Sequence, residues 1–305
     1  MTAALRPPLA CEIAPAGVVA ARLDATSGYD GQALSSAFAP LPAGLLFTGL
    51  KAPGLSDRAG VASALRQALH EVAQRDTKVT VVIPDTAVRV LLLDFDNLPS
   101  KQEEILPIIR FRLRKLVPFE VEDAAVSYQT MSGKDGMVRI ICAISPAAVI
   151  GEYEGAVRDA GYEPGSVLPS TLAALAGLSG GPPSLVVNCN RYSITTAIVS
   201  ENDLLLYRTL ELAEPDSSHT YESDPTRTGE ELRQSVSVAV AYFEDTLLEA
   251  PKQLFASGPG GAEELVRMLG DPGVPVRDLG QPTTTGNLTA MPPGLLAGVR
   301  GALAS

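Results

Sequence analysis

Three cysteines and two histidines are the residues of this chain best suited to nucleophilic catalysis or zinc binding. Cys11, Cys142 and Cys189 are far apart and lie in apolar runs. This pattern is typical of buried free thiols in a reducing compartment and not of disulfides or zinc ligands. His70 falls in a helical pattern and His219 in a polar loop, so neither is placed to activate a thiol. The sequence therefore predicts neither a catalytic cysteine nor a metal site.

A glycine-rich segment offers a second kind of chemistry, because the backbone amides of a glycine turn can reach the oxygens of a phosphate group. The segment reads Ser257-Gly258-Pro259-Gly260-Gly261, and it joins a short strand predicted over 253–256 to a helix predicted over 262–269. The alternative interpretation, which the local pattern favours, is a plain connection between a strand and a helix.

The charge balance excludes one class of partner. The formal net charge is −11, whereas a nucleic-acid-binding protein needs a concentrated basic face to neutralise phosphates. The basic cluster at 110–115 could contact acidic partners or anionic lipid headgroups. The alternative interpretation is a solvated helix end. No apolar stretch reaches the roughly 18–20 residues of a membrane span, and the first residues lack the apolar region of a secretion signal. We therefore expect a cytoplasmic protein that does not bind nucleic acid.

The elements that would position such groups are organised around residues 98–129. Ser100 and Glu103 have the spacing of a capping box and predict the start of a helix, which Pro118 ends. Four apolar residues share one face of this helix, which we expect to be buried: Ile105, Ile109, Leu113 and Leu116. An acidic turn and a strand that contains Tyr128 follow.

The remaining elements alternate between strands and helices in two similar halves. Before the central stretch we expect two short strands over 9–23, a helix over 57–74 capped by Ser56 or Asp57, and strands over 79–83 and 88–93. After it we expect a strand over 137–144, a helix over 146–161 capped by Ser145, a small helix over 166–176 and a break at 180–183. Strands over 184–189, 193–199 and 204–210, a loop over 211–227, a helix opened by Thr228 and Glu231, and a final helix over 295–303 complete the chain.

This duplicated plan is similar to the actin-like ATPase fold, in which two lobes each contain a small sheet flanked by helices. The order Leu98-Pro99, charged helix, Pro118-Phe119, acidic turn and Tyr128 resembles the inserted subdomain of PilM-type type IV pilus assembly proteins. The resemblance covers most of the chain in order, and residues match closely at 98–129, 185–211 and 229–261. It implies an α/β, duplicated actin-like two-lobed fold with an inserted α/β subdomain. The implied segments are a first lobe at 1–97, the insertion at 98–165, a return helix and hinge at 166–180, and a second lobe at 181–305.

Actin-like proteins hold ATP between their lobes with two hairpins, each carrying an aspartate that positions magnesium, and with a glycine turn near the adenosine. In the first hairpin Glu12 replaces this aspartate, Pro15 removes an amide donor, and Val19 replaces a lysine that faces the phosphates. In the second hairpin Asn188 replaces the aspartate, while Arg191 can supply a compensating cation. The residues that the resemblance assigns to the nucleotide are Glu12, Asn188, Arg191, Ser193, Thr195, Ser257, Gly258, Gly260 and Gly261. We expect a degenerate pocket that needs no cofactor; binding of ATP with magnesium is the alternative.

The resemblance implies a scaffold that lies at the inner membrane through its partners. PilM-type proteins bind the cytoplasmic tail of a PilN-like bitopic inner-membrane protein in a groove beside the inserted subdomain, and they communicate with the pilus motor ATPases. The groove is assigned to apolar Leu98, Ile105, Ile109, Phe119 and Tyr128, with Arg112 and Arg114 as its charges. Burial of these side chains in a core is the alternative. Two other functions stay open: an ATP-dependent actin-like enzyme, and the cytoplasmic part of a GspL-like type II secretion protein, whose chains continue into a membrane span.

Overall fold

The structure is a computed structural model that describes residues 7–23, 34–46, 49–52, 54–131, 136–178, 181–212, 225–279, 291 and 293–304. The strands are β1 (Leu9–Ala14), β2 (Gly17–Leu23), β3 (Leu34–Pro40), β4 (Lys78–Ile83), β5 (Arg89–Phe95), β6 (Ala124–Met131), β7 (Val138–Pro146), β8 (Glu163–Pro169), β9 (Gly181–Asn190), β10 (Ser193–Glu201), β11 (Asp203–Glu211), β12 (Leu254–Ser257) and β13 (Val276–Asp278). The α-helices are α1 (Arg58–Val72), α2 (Gln102–Leu113), α3 (Ala147–Asp159), α4 (Ser170–Ala174), α5 (Pro225–Leu247), α6 (Gly261–Leu269) and α7 (Ala297–Ala304). Short 3-10 turns lie at Asp85–Ala87, Leu175–Leu178 and Pro293–Leu296.

The first lobe is built on a five-stranded sheet in the order β3-β2-β1-β4-β8. Strands β1, β2 and β3 pair antiparallel, whereas β1, β4 and β8 run parallel. Helices α1 and α3 pack on one face of the sheet, and α4 and α7 pack on the other. Because both faces are covered, the central strands are nearly continuous apolar runs, such as Leu9–Ala14 and Lys78–Ile83.

The inserted subdomain is a three-stranded antiparallel sheet in the order β5-β7-β6, and α2 covers one of its faces. Ile109 and Leu113 of α2 are fully buried in the same apolar cluster as Ile140, Cys142 and Ile144 of β7. The other face of the sheet contributes three partly buried side chains to the junction with the second lobe: Leu92, Met131 and Ile141.

The second lobe repeats the five-stranded plan in the order β11-β10-β9-β12-β13. Strands β9, β10 and β11 form an antiparallel meander, and β9, β12 and β13 run parallel. Helices α5 and α6 cover one face, where Leu232, Phe243 and Leu265 are buried. The opposite face joins α4, α7 and the inserted sheet. The two lobes and the insertion therefore meet at the inner face of this sheet.

The strand pattern of the second half is confirmed, because β9, β10 and β11 cover the three predicted strands. The cap of α1 is also confirmed, since the side chain of Asp57 accepts a hydrogen bond from the amide of Gly60 at 2.9 Å. Most of the loop predicted over 211–227 lies outside the described residues.

Helix α2 begins and ends differently from its prediction. Lys101 occupies the N-cap position and no side chain caps the helix, so the predicted capping box of Ser100 and Glu103 is wrong. The helix ends at Leu113, and Leu116 in the following turn is 47% exposed rather than buried. A capping pattern involves only four residues, whereas the burial of a whole helix face decides where the helix lies.

Two further helix starts are corrected by the structure. Pro146, and not Ser145, is the N-cap of α3; the hydroxyl of Ser145 instead donates to the carbonyl oxygen of Ala87 at 2.7 Å. Helix α5 begins at Pro225, so Thr228 lies inside its first turn and does not open it. Proline suits the first position of a helix, because that position has no intrahelical partner for an amide.

Two strands were predicted incompletely or not at all, because they contain prolines and glycines. β8 lies at the edge of its sheet, where a helix was predicted over 166–176 and only Ser170–Ala174 is α-helical. β9 begins at Gly181, inside the predicted break at 180–183. Prolines are tolerated at sheet edges and at strand starts, because no ladder amide is needed there.

The packing also corrects the predicted bounds of the segments. β5 belongs to the inserted sheet, although it precedes residue 98. α3 and the start of β8 belong to the first lobe, although they fall within the segment predicted as the insertion, 98–165. Helix α7 packs on α4, β1 and β2 of the first lobe, although it follows the strands of the second. The chain therefore leaves and re-enters the first lobe twice, which a division into consecutive segments cannot represent.

Candidate functional site

A cluster of buried polar side chains lies where the two lobes meet. Glu12 is near the end of β1, Asp85 follows β4, and Ser170 and Thr171 follow β8. The carboxyl ends of these parallel strands meet at one edge of the first sheet, which is the usual position of a ligand site in α/β folds. Asn188 reaches the same place from β9 of the second lobe.

Within the first lobe, two hydroxyl groups hold the two buried carboxylates. Ser170 Oγ donates to Glu12 Oε1 at 2.6 Å. The amide of Thr171 donates to Asp85 Oδ1 at 2.9 Å, and its hydroxyl donates to Asp85 Oδ2. The first turn of α4 therefore fixes both carboxylates, because its side chains and amide provide their hydrogen bonds.

The second lobe contributes two donors to the same cluster. Asn188 Nδ2 donates to Thr171 Oγ1 at 2.9 Å, and it also lies 3.3 Å from Asp85 Oδ2 and 3.4 Å from Ser170 Oγ. The hydroxyl of Tyr207, on β11, donates to Asp85 Oδ1 at 2.8 Å. We call Glu12, Asp85, Ser170, Thr171, Asn188 and Tyr207 the interlobe network. It joins the two lobes by hydrogen bonds.

Burial sets the electrostatics of this network. Burial raises the pKa of Glu12 to about 7, with the charge of Asp85 adding to the rise and the hydrogen bond from Ser170 opposing it. The pKa of Tyr207 is raised well above its ordinary value, first by burial and then by the charge of Asp85. Among the described residues, no lysine or arginine forms an ion pair with Glu12 or Asp85. Glu12 therefore gains or loses its proton near neutral pH, well above the usual range of a glutamate.

A cavity of about 300 Å³ opens beside the network. Its wall includes Glu12 and Pro15 of the first hairpin, Asn188 and Arg191 of the second, and Gly258 of the glycine turn. The structure therefore brings together the three chain segments that the sequence assigned to one site. Val19 instead lies in the apolar cluster beneath α7, so the first hairpin presents no cation at that position.

A second cavity, of about 540 Å³, adjoins the first. The two share Asn190, Arg191 and Pro259 in their walls. The larger one lies between the glycine turn and helices α5 and α6, and Ser257, Gly260 and Gly261 line it together with Thr228, Arg233 and Glu264. The predicted residues of the glycine turn thus divide between the two cavities.

Ser193 and Thr195 do not line either cavity. The amide of Ser193 donates to Asn190 Oδ1 at 3.1 Å, within the turn of the second hairpin. Thr195 is fully buried, and its hydroxyl shares a hydrogen bond with that of Thr209 at 3.1 Å. These two residues therefore support the hairpin and lie away from the cleft.

The glycine turn lies against the second hairpin at one position. Gly258 has φ +101°, and a Cβ there would overlap the carbonyl oxygen of Cys189 and approach Asn188 Oδ1 to 2.9 Å. Only glycine fits this backbone and this space. The turn is therefore required for the packing of β9 and β12, whether or not it also binds a phosphate.

The prediction of buried free thiols is confirmed for two of the three cysteines. Cys11 and Cys142 are buried and Cys189 is half-buried, and all three are free. Burial raises the pKa of Cys142 and of Cys189 to about 12, so both remain protonated at neutral pH. In the described part of the chain, no cluster of three or more His, Cys, Asp or Glu side chains is placed to hold a metal ion.

No protein-family model and no curated protein sequence matches this chain. It is similar in structure to a chain of the PilM-PilN type IV pilus biogenesis complex, with a TM-score of 0.73 and 18% identity over 97% of both chains. A Bacteroides thetaiotaomicron protein with an actin-like ATPase fold and unknown function has a TM-score of 0.51 and 13% identity over 97% of this chain and 95% of its own. The chain has the actin-like ATPase fold. The cytoplasmic domain of EpsL, an inner-membrane component of the Vibrio cholerae type II secretion system, has a TM-score of 0.52 and 13% identity over 97% of this chain and 94% of its own.

The predicted fold class is therefore confirmed, and so is the likeness to PilM at the level of the fold. Within this actin-like fold, sequence reasoning missed four members of the interlobe network: Asp85, Ser170, Thr171 and Tyr207. One signal for Asp85 was present, because Pro84-Asp85 directly follows a buried strand. Ser170 and Thr171 directly follow β8, and they were missed because β8 was not predicted as a strand.

The residues assigned to the partner groove divide into core and surface. Ile109 is fully buried, and Leu98, Ile105, Phe119 and Tyr128 pack partly buried against the same cluster. Arg112 and Arg114 are exposed. Ile109 is therefore not available to a partner, and the assignment of the other six stays a prediction. Within the described residues, no helix combines the length and the apolar character that crossing a membrane requires.

Proposed function

We propose that this protein is a non-enzymatic scaffold on the cytoplasmic side of the inner membrane, in a type IV pilus or a related envelope-spanning machine. In this proposal it binds the cytoplasmic tail of a PilN-like bitopic membrane protein, which holds it at the membrane, and it communicates with the pilus motor ATPases. Support comes from the extent of the fold likeness to a chain of the PilM-PilN complex, at a TM-score of 0.73 over 97% of both chains.

The interlobe network is the observation that favours a scaffold over an ATPase. A magnesium ion needs hard oxygen ligands, usually carboxylates. At 188 the chain offers an amide, whose nitrogen already donates to Thr171 at 2.9 Å. The remaining carboxylates, Glu12 and Asp85, are occupied by donors from α4. We infer that the cleft is closed by protein hydrogen bonds in the place where nucleotide and metal would otherwise join the lobes.

Two alternatives keep a specific observation in their favour. The adjoining cavities of about 300 and 540 Å³ share Arg191, which supports binding of an anionic ligand such as ATP. The likeness to the cytoplasmic domain of EpsL, at a TM-score of 0.52, supports a GspL-like role in type II secretion. We rank both alternatives behind the PilM-like scaffold, because the likeness to EpsL is weaker and residue 188 is an amide.

Binding of a tail peptide tests the proposal directly. The probes are fluorescently labelled synthetic peptides that cover the cytoplasmic tails of the bitopic inner-membrane proteins of the source cell, titrated by anisotropy. We expect one tail to bind, and we expect replacement of Phe119 and Arg112 by alanine to weaken it at least about tenfold, or about 1.4 kcal/mol. Phe119 is half-buried against the apolar cluster of the insertion and Arg112 is exposed, so the double variant should melt at a lower temperature but remain folded at the temperature of the titration.

Phe111→Ala is the matched control. Phe111 is an exposed phenylalanine of α2, the helix that carries Arg112, and it lies outside the predicted groove. This variant should bind the tail as the wild type does. Equal binding by the double variant and the wild type would remove the groove assignment. The absence of binding to every tail would remove the proposed function.

A further inference from the structure

Six of the seven large hydrophobic residues exposed in the described part of the chain lie on two helices or just after their ends. Ile108, Phe111 and Leu116 belong to α2 and the turn after it, and Phe111 is 69% exposed. Val238, Tyr242 and Leu248 belong to α5 and the residue that follows it, and Leu248 is 90% exposed. Contiguous exposed apolar patches mark interaction surfaces, so the charges that surround each group matter.

The charges around the two patches have opposite signs. On α2, Arg112 and Lys115 are exposed and form no ion pair with a described residue, whereas Arg114 pairs with Glu122 at 2.5 Å. On α5, Glu244 and Asp245 are likewise exposed without an ion pair among the described residues. We define the basic face as Ile108, Phe111, Arg112, Lys115 and Leu116, and the acidic face as Val238, Tyr242, Glu244, Asp245 and Leu248.

Leu248 is held in an unfavourable backbone conformation. Its φ is +58°, in the left-handed region where glycine is the usual residue after a helix. Its amide closes the last turn by donating to the carbonyl oxygen of Glu244 at 2.8 Å. A leucine here costs strain and exposes an apolar side chain, and it makes no compensating burial within the molecule. A contact with another molecule accounts for both costs.

The two faces lie on opposite outer layers of the protein. Helix α2 covers one face of the inserted sheet, whose other face packs toward the second lobe. Helix α5 covers the far face of the second-lobe sheet. The basic and acidic faces therefore cannot meet within one molecule, but they can meet between two.

We propose that the basic face of one molecule docks on the acidic face of a second copy of this chain, in a head-to-tail contact. Such a contact uses two different surfaces, so each molecule keeps one free face and the contact can repeat. With a net charge of −11, two copies repel through most of their surface. An anionic membrane would account for the basic face alone, whereas a second copy accounts for both faces and for the strained Leu248.

A contact between two helix faces buries a small area, so we expect a weak interface. Association should therefore depend on protein concentration and on salt. Sedimentation velocity from about 5 to about 500 µM, at low and at about 0.5 M salt, measures both. We expect the mass of the wild type to rise beyond that of a dimer at low salt and to return toward the monomer at high salt. A wild type that stays monomeric at the highest concentration and low salt would overturn the proposal.

Two variants separate the faces. Phe111→Asp disables the basic face and Leu248→Gly disables the acidic face, and each variant alone should associate at least about tenfold more weakly than the wild type. An equimolar mixture should form a dimer and nothing larger, because the mixture retains one working face of each kind. Leu248→Gly should also raise the melting temperature, since glycine removes the backbone strain. Loss of association in this variant is then not the result of unfolding.

Three other results would contradict the proposal. A mixture that remains monomeric would mean that the two faces are not partners. Association blocked by Phe111→Asp but not by Leu248→Gly would mean that the basic face pairs with itself. A monomeric wild type that binds phosphatidylglycerol vesicles, with loss of binding in Phe111→Asp, would assign the basic face to lipid.

Discussion

At the scale of single residues, the interlobe network shows how one amide changes the chemistry of a cleft. Asn188 donates hydrogen where an aspartate would only accept, so the buried oxygens of Asp85 and Thr171 gain a donor from the opposite lobe. Two buried carboxylates without a cation avoid mutual repulsion if one of them keeps its proton. Glu12 is the member with the raised pKa, about 7.

The stability of the protein should therefore depend on the ionisation of Glu12. Its pKa is raised from 4.5 to about 7 by burial and by Asp85, so the folded state holds a proton that the unfolded state loses between these values. Stability from this group is full below about pH 4.5 and falls as pH rises toward 7, by on the order of 3 kcal/mol. Glu12→Gln keeps an acceptor for Ser170 and has no charge to lose.

Urea unfolding of the wild type and of Glu12→Gln between about pH 5 and 8 measures this difference. The variant should become the more stable of the two as pH rises. The exposed Glu103→Gln is the matched control and should follow the wild type. Parallel profiles for the wild type and Glu12→Gln would show that Glu12 does not titrate in this range.

At the scale of elements, α7 completes the first lobe by packing closely on α4 and β1. Its sequence, AGVRGALA, is rich in small residues. A Cβ at Gly301 would overlap the carbonyl oxygen of Ala173, and one at Gly298 would overlap Glu12 Oε2. Glycine at these positions lets the helix backbone touch the wall of the site, so α7 helps to bury Glu12 and thereby to raise its pKa.

Gly301→Ala tests this close approach. The added methyl group meets backbone that cannot move away easily, so we expect a loss of about 1–3 kcal/mol in the free energy of unfolding. Gly151→Ala is the matched control: Gly151 lies within α3, and a Cβ there meets nothing within 4 Å. The control should be neutral or gain about 0.5–1 kcal/mol, because alanine favours a helix over glycine. Equal stability of the two variants would mean that α7 packs less closely than described.

The elements also show which parts of the site could be predicted. Glu12, Asn188 and Gly258 were assigned to the site through the resemblance to actin-like proteins, and each lies in or directly after a strand that the sequence pattern also predicts. Ser170 and Thr171 were missed because β8 contains Pro164, Gly165 and Pro169, which mask a strand pattern. The bond from Tyr207 to Asp85 spans 122 residues. No local pattern carries such a contact, since it depends on how the two lobes are joined.

At the scale of the whole molecule, side chains of both lobes form hydrogen bonds across the cleft. Asn188 and Tyr207 connect the second lobe to Asp85 and Thr171 of the first. The bond from Asn188 is buried and the bond from Tyr207 is partly buried, so losing either one is costly. The relative position of the lobes should therefore not require a nucleotide.

Thermal unfolding with and without ATP and magnesium measures this independence. A ligand with a dissociation constant of about 10 µM, added at about 1 mM, would stabilise the folded state by about 2.7 kcal/mol. We expect no such shift for the wild type. Asn188→Asp should be destabilised by roughly 2–4 kcal/mol, because it loses a buried donor and adds a third carboxylate beside Asp85.

Addition of ATP with magnesium should not raise the melting temperature of Asn188→Asp. Asn190→Asp is the matched control, because Oδ1 of Asn190 accepts from the partly buried turn amides of Tyr192 and Ser193, which an aspartate can also do. The control loses only the hydrogen bond that Asn190 Nδ2 donates to Ser193 Oγ at 3.1 Å. A rise of several degrees in the melting temperature of Asn188→Asp on adding ATP and magnesium, lost without the metal, would show that the cleft is a working nucleotide site.

The return of α7 to the first lobe has a consequence for how the protein is made. The last strand of that lobe ends at Pro169, whereas α7 begins at Ala297. A ribosome adds about 5–20 residues per second, so the apolar surface of β1, β2 and β4 that α7 covers waits for several seconds or longer after the rest of the lobe has emerged. During synthesis, the first lobe to appear is therefore the last to be finished, and nascent chains should depend on chaperones until the second lobe has been translated.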